Sequence, residues 1–413
     1  MKSRKSIIYV FFLVISLAFT CYPQKAKAYA MLLHEAIVDA AWEKSILPLL
    51  KQKFPNASDS DLVAARAYVY GGTVVPDIGY YPFGSMFFTD LIHYVRTGDF
   101  VQALFDESQN LNDYAFAIGV LCHYTADNYG HSCGTNKAVP VLFPREKEKF
   151  GDVVTYEEDH VSHIRMEFGF DVLQTAYSNY SPQAYHDFID FKISQPVLER
   201  AFYKTYSIDL KKYFNKAAIP ILRYALKHIY QEVTEDAWRL KKSDIIKQNP
   251  QATHKNYVYK QGRKAYYKEY GKPEFKAIFF YAVVKVMPKV GPLLVLKFKQ
   301  PNAEVEKLYK HSLDTVEYCY TRSLNELKSG TMVLENRDFD TGKKIHPGEY
   351  KLVDKCYYKL ITEQNKEGFT DMTPPLKNNL LDFYGDVDSL QFPEKSSKKE
   401  VLLTNALVQL NAR

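Results

Sequence analysis

The stretch Gly119-Val-Leu-Cys-His-Tyr-Thr-Ala-Asp-Asn-Tyr-Gly-His131 carries three residues of metal-binding type, spaced four apart. Residues four apart in an α-helix lie one turn above each other on the same face. His123 and Asp127 would therefore form a two-ligand stripe, and a neutral imidazole and a carboxylate can hold one divalent cation between them. We expect Gly130 to end or loosen this helix, which would let His131 turn toward a different metal ion.

The residues around this stripe predict that the helix is buried. The apolar side chains that surround the polar positions are Phe116, Ile118, Val120 and Leu121. Polar groups that lose contact with water need partners, and a metal ion is one such partner. The alternative on this stretch alone is a pair of core histidines satisfied by hydrogen bonds, so the rest of the chain has to decide.

Length and composition bound the fold class. The 413 residues are enough for two or three domains, or for one large helical domain with an appendage. A content of 46% hydrophobic and 25% charged residues is typical of a soluble globular protein. The net charge of +6 permits contact with anionic lipid or nucleic acid but is too small to require either. Because the sequence has little period-two alternation and no internal repeat, we predict an all-α fold.

Residues 1–28 predict an export signal peptide. Basic residues at the start precede an apolar run over residues 7–19, which is too short for a membrane span. The small-x-small sequence Ala26-Lys27-Ala28 would release a mature chain that begins at Tyr29, with cleavage after Ala30 as the alternative. We therefore expect an exported protein, either secreted or periplasmic.

The cysteines raise two further expectations for an exported protein. Cys21 directly follows the apolar run and could carry a lipid anchor, although the residues before it match a lipoprotein signal poorly. The other four cysteines permit two disulfide bridges in three pairings, and the sequence does not choose among them. These four are Cys122, Cys133, Cys319 and Cys356.

Apolar periodicity and capping residues predict a series of helices in the first half of the chain. The predicted helices cover residues 34–54, a segment from Ser58 or Ser60 to residue 70, residues 85–96, residues 158–177, and much of residues 181–247. Gly71 and Gly72 are expected to end the second of these helices. The irregular segment over residues 75–84 is expected to expose Asp77 on a loop.

We predict a helical domain over residues 29–245 and a further, mostly helical C-terminal region of unknown role over residues 246–413. Residues 254–276 are rich in lysine and tyrosine, and residues 277–298 are strongly apolar. Lysine, glycine and proline interrupt the apolar stretch, which favours a buried helix pair over a membrane span. Residues 303–329 predict a long helix, and a short helix is expected at the C-terminus after a charged linker.

Six of the eleven histidines fall between residues 34 and 163, namely His34, His93, His123, His131, His160 and His163. Carboxylates at helical spacing do not discriminate by themselves, because His186 with Asp190 and His228 with Glu232 offer the same pairing elsewhere. The order and types of the whole set are more informative. Nitrogen and oxygen ligands of this kind suit zinc best, with manganese or iron as alternatives.

This order resembles the zinc-dependent phospholipase C family, which is related in fold to the S1/P1-type nucleases. The resemblance rests on His34, Pro76-Asp77, His93, His123-x-x-x-Asp127, His131 and His163-x-x-x-Glu167. It covers roughly residues 29–180, and more loosely the helices to about residue 240. It implies a multi-helix domain of the phospholipase C/P1 nuclease type that holds up to three zinc ions.

Carried over residue by residue, the resemblance implies three metal sites. One zinc ion would be held by Asp77, His93, His123 and Asp127, a second and more open one by His131, His163 and Glu167, and a third by His34, the main chain of Tyr29 and a bridging Asp127. The family's mature N-terminal residue is usually tryptophan, and Tyr29 stands in its place, five residues before His34. The interval from Asp127 to His131 is shorter than in the best-known bacterial members.

Two of these ligands have competitors in the sequence. Asp90 could replace Asp77, although its position three residues before His93 better suits a role in orienting that histidine. His160 could replace His163, although the His-x-x-x-Glu spacing favours His163.

The resemblance implies a phosphodiester hydrolase, and the leading hypothesis is phospholipase C-type cleavage of a phospholipid to diacylglycerol and a phosphorylated head group. Zinc would neutralise the phosphate oxygens and lower the pKa of a bound water, so that a zinc-bound hydroxide could attack phosphorus near neutral pH. Asp77, expected beside that water, could act as ligand and general base together. The sequence offers no serine or cysteine motif for a covalent nucleophile.

The substrate does not follow from the fold. The apolar residues 277–298, or the loop aromatics Tyr80, Tyr81, Phe83, Phe87 and Phe88, could make transient contact with a membrane surface. Residues 254–276 could instead bind single-stranded nucleic acid, as an S1/P1-like nuclease would. A third hypothesis is a non-catalytic, zinc-stabilised binding protein. Eight side-chain ligands for three ions leave coordination positions open, which favours an enzyme. No obligate protein partner is predicted.

Overall fold

The computed structural model of the protein describes residues 31–81, 83–178, 182–214, 218–273, 275, 278, 282, 297–385 and 398–412. Within these residues the chain forms α-, 3-10 and π-helices and no β-strand. The predicted all-α fold is therefore confirmed. Among the helices that the structure describes, none combines the length and the apolar character needed to cross a bilayer.

The first half of the chain holds twelve α-helices joined by short 3-10 and π turns within its described residues. The α-helices are α1 Met31–Ala41, α2 Leu47–Lys53, α3 Asp59–Val74, α4 Met86–Tyr94, α5 Thr97–Asp106, α6 Leu111–Gly130, α7 Asn136–Leu142, α8 Pro144–Phe150, α9 His160–Tyr177, α10 Pro182–Ile189, α11 Gln195–Tyr206 and α12 Ala218–Gln248. The turns that matter for the site are the 3-10 helix Val75–Tyr80 and the π-helix His131–Thr135.

The second half continues the helical pattern. Its described α-helices are α13 His254–Tyr257, α14 Arg263–Tyr270, α15 Ala303–Ser329, α16 Lys351–Lys366, α17 Pro374–Tyr384 and α18 Lys398–Asn411. The long helix predicted over residues 303–329 is present, whereas α16 and α17 were not predicted. Most of residues 277–298, on which the helix-pair prediction falls, lies outside the described residues.

Side-chain caps fix where several of these helices begin. A side-chain oxygen of the residue before the helix accepts a hydrogen bond from a backbone N–H of the first turn, which would otherwise lack a partner. The capping residues are Ser58 for α3, Asn110 for α6, Asp159 for α9 and Asn302 for α15. Of the two caps considered for α3, Ser58 is therefore the one used.

Helix α6 is the centre of the fold. Most of its residues are buried, and α3 packs along it closely. A Cβ atom on Gly72 would overlap the carbonyl oxygen of Phe116, and one on Gly119 would overlap that of Val69. Glycine at both positions lets the two backbones approach to a distance that no other residue allows.

The prediction that Gly71 and Gly72 end the second helix is wrong. Helix α3 continues through both glycines to Val74. They are required by packing rather than by a helix terminus, since a Cβ on Gly71 would overlap the carbonyl oxygen of Lys192.

The C-terminal half packs directly onto α6. Helix α15 lies against α6 and the π turn that follows it, and the hydroxyl of Tyr320 donates to the carbonyl oxygen of Ile118 at 3.1 Å. The segment before α16 also reaches α6, where the hydroxyl of Tyr124 donates to the carbonyl oxygen of Glu335 at 2.8 Å. Residues more than 200 positions apart therefore share one core.

The four cysteines that the structure describes are free thiols, so neither of the two disulfides that the sequence permits is present among them. Cys122, Cys319 and Cys356 are buried, and burial raises the pKa of the Cys122 thiol well above its usual range. Cys21 lies outside the described residues.

We expect Gly119→Ala to lower the free energy of unfolding by about 1–3 kcal/mol, because the added methyl group forces α3 away from α6. Alanine is the better helix former, so an effect of propensity alone would have the opposite sign. Chemical denaturation followed by circular dichroism measures the change. Gly262→Ala is the matched control, since nothing lies within 4 Å of a Cβ there and its φ of −62° suits any residue. Equal stability of Gly119→Ala and wild type would contradict the close packing.

Candidate metal centre

Eight buried side chains converge into three adjacent groups that could each hold a metal ion. The groups are His34, His123 and Asp127; Asp77, His93 and His123; and His131, His163 and Glu167. Within each group the candidate ligand atoms lie within 4.8 Å of one another. All eight side chains named as metal ligands from the sequence are therefore brought together by the fold.

The group around His93 has the spacing of a tetrahedral site. His93 Nε2 lies 3.3 Å from Asp77 Oδ1 and 3.4 Å from His123 Nε2, and His123 Nε2 lies 3.9 Å from Asp77 Oδ1. Two ligands bound to one tetrahedral zinc ion at 2.0–2.1 Å would lie roughly 3.3 Å apart. The side chains thus fit zinc in type and in spacing.

Asp127 lies between two of the groups. Its Oδ2 is 3.1 Å from His123 Nε2 and 3.6 Å from His93 Nε2, while its Oδ1 is 3.4 Å from His34 Nε2. The imidazoles of His34 and His123 stack with their centroids 4.6 Å apart. The two oxygens therefore face opposite groups, as a bridging carboxylate requires.

The third group is centred on Glu167. Its Oε1 lies 3.0 Å from His163 Nε2 and 3.2 Å from His131 Nε2. Neither ring nitrogen of His163 makes a hydrogen bond within the described part of the chain, although the residue is fully buried. Buried polar atoms of this kind call for a partner, and a metal ion supplies one. Glu167 keeps 5% of its surface exposed, against 0–1% for the other seven ligands, so the centre is most open on this side.

Three of the histidines are oriented by backbone carbonyl groups. The Nδ1 atoms of His93, His123 and His131 pair with the carbonyl oxygens of Thr89, Thr73 and Phe339, at 2.9, 2.9 and 2.8 Å. A carbonyl only accepts, so Nδ1 carries the proton and Nε2 keeps its lone pair for a metal. This arrangement is the usual way in which a protein prepares histidine ligands.

The prediction that residues 75–84 expose Asp77 on a loop is wrong. Asp77 lies in the 3-10 helix Val75–Tyr80 and is fully buried. Thr89 of α4 holds this turn, because its hydroxyl donates to the carbonyl oxygen of Pro76 at 2.6 Å and accepts from the amide of Gly79 at 2.9 Å. Thr89 thus positions two candidate ligands, Asp77 through its side chain and His93 through its carbonyl.

The geometry distinguishes the candidate ligands from the two alternatives, Asp90 and His160. Asp90 forms an ion pair with Lys359 at 3.0 Å, and its place in orienting His93 is taken by the Thr89 carbonyl. His160 begins α9 and is partly exposed, whereas His163, one turn later, enters the third group. Asp77 and His163 are therefore the residues with metal-site geometry.

The α-helix ends at Gly130, in line with the expectation of an ended or loosened helix, but the chain stays helical beyond it. The chain passes from α6 straight into the π-helix His131–Thr135, whose wider turn follows Gly130. Short π segments inside α-helices are frequent at functional sites. His131 joins Glu167 rather than the group of His34, so the expected turn toward a different metal position is present, by way of a π turn.

Burial and neighbouring charges set the protonation of the centre. Burial, with His123 next in importance, lowers the pKa of His34 to about 4, so this ring is neutral at pH 7. Burial opposes the charge on Asp127, but His123 and His131 hold its pKa well below the usual range. Burial likewise opposes the charge on His131, but Asp127 and Glu167 raise its pKa to about 9. At pH 7 Asp127 is thus a buried anion, and its charge favours a cation beside it, whether a proton on His131 or a metal ion.

The C-terminal half contributes to the centre in a way that the sequence patterns do not reveal. The ring of Phe339 lies 5.0 Å from that of His93 and 5.8 Å from that of His123. Asp340 is buried beside them, with Oδ1 3.9 Å from His131 Nδ1. No local spacing links these residues to the histidines, and a backbone carbonyl leaves no trace in side-chain motifs, so no signal could have found them.

Tyr29, the ninth predicted ligand, lies outside the described residues, as does the predicted signal peptide. The chain enters the described region at α1, whose start is fixed by Asp171. The amide of Leu32 donates to Asp171 Oδ1 at 2.8 Å. This contact helps to place His34, two residues further along, against Asp127.

Comparisons with known proteins agree with this geometry. Neither the curated proteins nor the solved structures include a match to the chain. The family model of zinc dependent phospholipase C matches residues 33–216, a segment that contains all eight side chains of the three groups. Residues 33–216, a little under half of the chain, are therefore similar to the zinc-dependent phospholipase C family.

Proposed function

We propose that the protein is an exported zinc-dependent hydrolase that cleaves phospholipids in the manner of a phospholipase C, releasing diacylglycerol and a phosphorylated head group. The match of residues 33–216 to this family supports a phosphodiesterase at a general level. The observation that carries the proposal is the meeting of eight nitrogen and oxygen ligands in three adjacent groups, two of them joined by Asp127. A structural zinc site needs only one closed set of four ligands.

The side chains have distinct roles in this proposal. The three groups would hold up to three zinc ions, which would neutralise phosphate charge and make water a stronger acid near neutral pH. Asp77 offers Oδ1 to His93 at 3.3 Å, and Oδ2 is the proposed acceptor for the proton of the attacking water. Its complete burial strengthens such a proton transfer by excluding competing solvent.

Two tyrosines line the same region. The ring of Tyr80 lies 5.9 Å from that of His93, and the ring of Tyr156 lies 5.5 Å from that of His163. Burial raises the pKa of both phenols well above the usual value, so they stay protonated. We infer that these hydroxyls serve as hydrogen-bond donors to the phosphate oxygens of the substrate.

The nuclease alternative loses part of its support from the sequence, although Tyr267 and Tyr270 are partly exposed. In the lysine- and tyrosine-rich segment, Tyr257, Tyr259 and Tyr266 are buried in the core, and the hydroxyl of Tyr257 donates to the carbonyl oxygen of Thr175. Buried rings cannot stack on the bases of a nucleic acid. Phe83, by contrast, is 44% exposed in the loop after the Asp77 turn, where it is available to a lipid surface.

The first test compares two substrates on the purified mature protein, with its zinc content and N-terminal residue determined. We expect close to three zinc ions, Tyr29 at the N-terminus, release of phosphorylated head group from phosphatidylcholine vesicles, and loss of this activity on chelation. Cleavage of single-stranded DNA alone would select the nuclease. Full zinc content with neither substrate cleaved would support a non-catalytic binding protein instead.

We expect His163→Ala to lower the zinc content by about one ion per chain, because Glu167 and His131 alone cannot complete a site. Elemental analysis of the purified protein measures the content. His160→Ala is the matched control, because His160 lies one helical turn away at the partly exposed start of α9, and this variant should bind zinc like wild type. The reverse pattern would show that His160 is the ligand.

For the catalytic assignment we expect Asp77→Asn to lower kcat roughly 100-fold or more, the usual effect of removing a general base. Steady-state kinetics on phosphatidylcholine, run with excess zinc, measures the loss. Asp90→Asn is the control, since Asp90 pairs with Lys359 instead of a histidine, and it should keep kcat within a few-fold of wild type. Similar kcat values for the two variants would remove Asp77 from catalysis.

A further inference from the structure

One short segment of the C-terminal half, residues 335–342, lies across the metal centre although it is outside the residues matched by the family model. We call it the strap. We propose that the strap is part of the metal centre. In this proposal Asp340 is a positioning residue that fixes His131, and its negative charge balances the positive charge of a metal ion bound by His131, His163 and Glu167. This inference rests on the metal centre of the proposed function, but not on its substrate.

The backbone of Phe339 ties two ligand histidines together. Its carbonyl oxygen accepts from His131 Nδ1 at 2.8 Å, and its amide donates to the carbonyl oxygen of His93 at 3.1 Å. His93 and His131 belong to different groups, at the ends of α4 and α6. One residue of the strap therefore sets the relative position of two candidate metal sites.

Asp340 brings a buried charge to the same place. Its exposed fraction is only 1%, and its Oδ2 accepts hydrogen bonds from the hydroxyls of Tyr94 at 2.7 Å and Tyr350 at 2.8 Å. Its Oδ1 faces His131 Nδ1 at 3.9 Å. A buried carboxylate is costly without a nearby positive charge. An imidazole that binds a divalent cation through Nε2 supplies that charge. Because Nδ1 gives its hydrogen bond to Phe339, Asp340 would act on this ring through space, as a counter-charge.

The strap is held in place by contacts that do not involve the ligands. Thr97 of α5 exchanges two hydrogen bonds with the backbone of Arg337, at 2.7 and 3.0 Å. Asp338 Oδ1 accepts from the amides of Asp340 and Thr341, which forms the turn that aims Asp340 inward. Gly342 follows at a φ of +69°, with no room for a Cβ against the carbonyl oxygen of Asn128. These contacts therefore hold the strap in one defined position over the metal centre.

The test is zinc and cobalt(II) binding to the full-length chain after metal removal, by calorimetry and by the visible spectrum of cobalt(II). We expect Asp340→Asn to weaken the binding of one ion by roughly 10-fold and to alter the cobalt spectrum, because a buried counter-charge 3.9 Å from His131 Nδ1 is lost. The other ions should bind as in wild type.

Asp338→Asn is the matched control. Asp338 is as deeply buried in the same strap, and asparagine keeps the acceptor that its turn needs, so binding should stay within a few-fold of wild type. Tyr350→Phe is a second test of Asp340, for use if the Asp340→Asn variant does not fold. It removes one hydrogen bond to Asp340 and should weaken the same ion by a smaller factor.

Wild-type affinity for every ion in Asp340→Asn and in Tyr350→Phe would overturn the proposal. Equal loss in Asp338→Asn and Asp340→Asn would also overturn it, because the strap's shape and not Asp340 would then be responsible. A wild-type chain that binds zinc but cleaves neither substrate would refute the proposed function alone, since the binding constants still judge Asp340. A wild-type chain that binds no zinc would refute both.

Discussion

The structure depends on the buried carboxylate of Asp127. Its two oxygens face His34 on one side and His93 and His123 on the other, and the whole side chain is inaccessible to solvent. Burying such a charge is unfavourable unless polar partners or a bound cation surround it. Helices α1, α4 and α6 each contribute one of those partners, so the helices that form the core also form the metal centre. A cation held there would link folding to chemistry.

The packing of α3 against α6 also orients one of the ligand histidines. Gly72 and Gly119 bring α3 and α6 into backbone contact, and the next residue of α3, Thr73, offers its carbonyl oxygen to His123 Nδ1 at 2.9 Å. The proton on Nδ1 leaves Nε2 as the ligand atom. A packing detail between two helices thus determines which nitrogen of a histidine is available to a metal.

Local geometry explains what could be predicted from the sequence. The four-residue spacings of His123 with Asp127 and of His163 with Glu167 follow from the helix itself, and both pairs meet as expected. The sequence predicts an exposed loop at Asp77 because a segment rich in glycine and proline gives no sign of burial. It predicts a helix end at Gly71 and Gly72 because a sequence does not distinguish a terminus from a close helix contact. The sequence therefore predicts the spacing of the ligands along the helices, but not how deeply the ligands are buried.

The position of the strap in the chain determines when the site can be finished. The contact between His131 and Phe339 spans 208 residues, and that between Tyr94 and Asp340 spans 246. During synthesis the eight ligand side chains leave the ribosome long before the strap does, and domains fold from the N-terminus onward. Until residues 335–342 emerge, His131 lacks the carbonyl that fixes its tautomer. The nascent chain can thus gather its ligands early, but the complete centre forms only once the C-terminal half has been made.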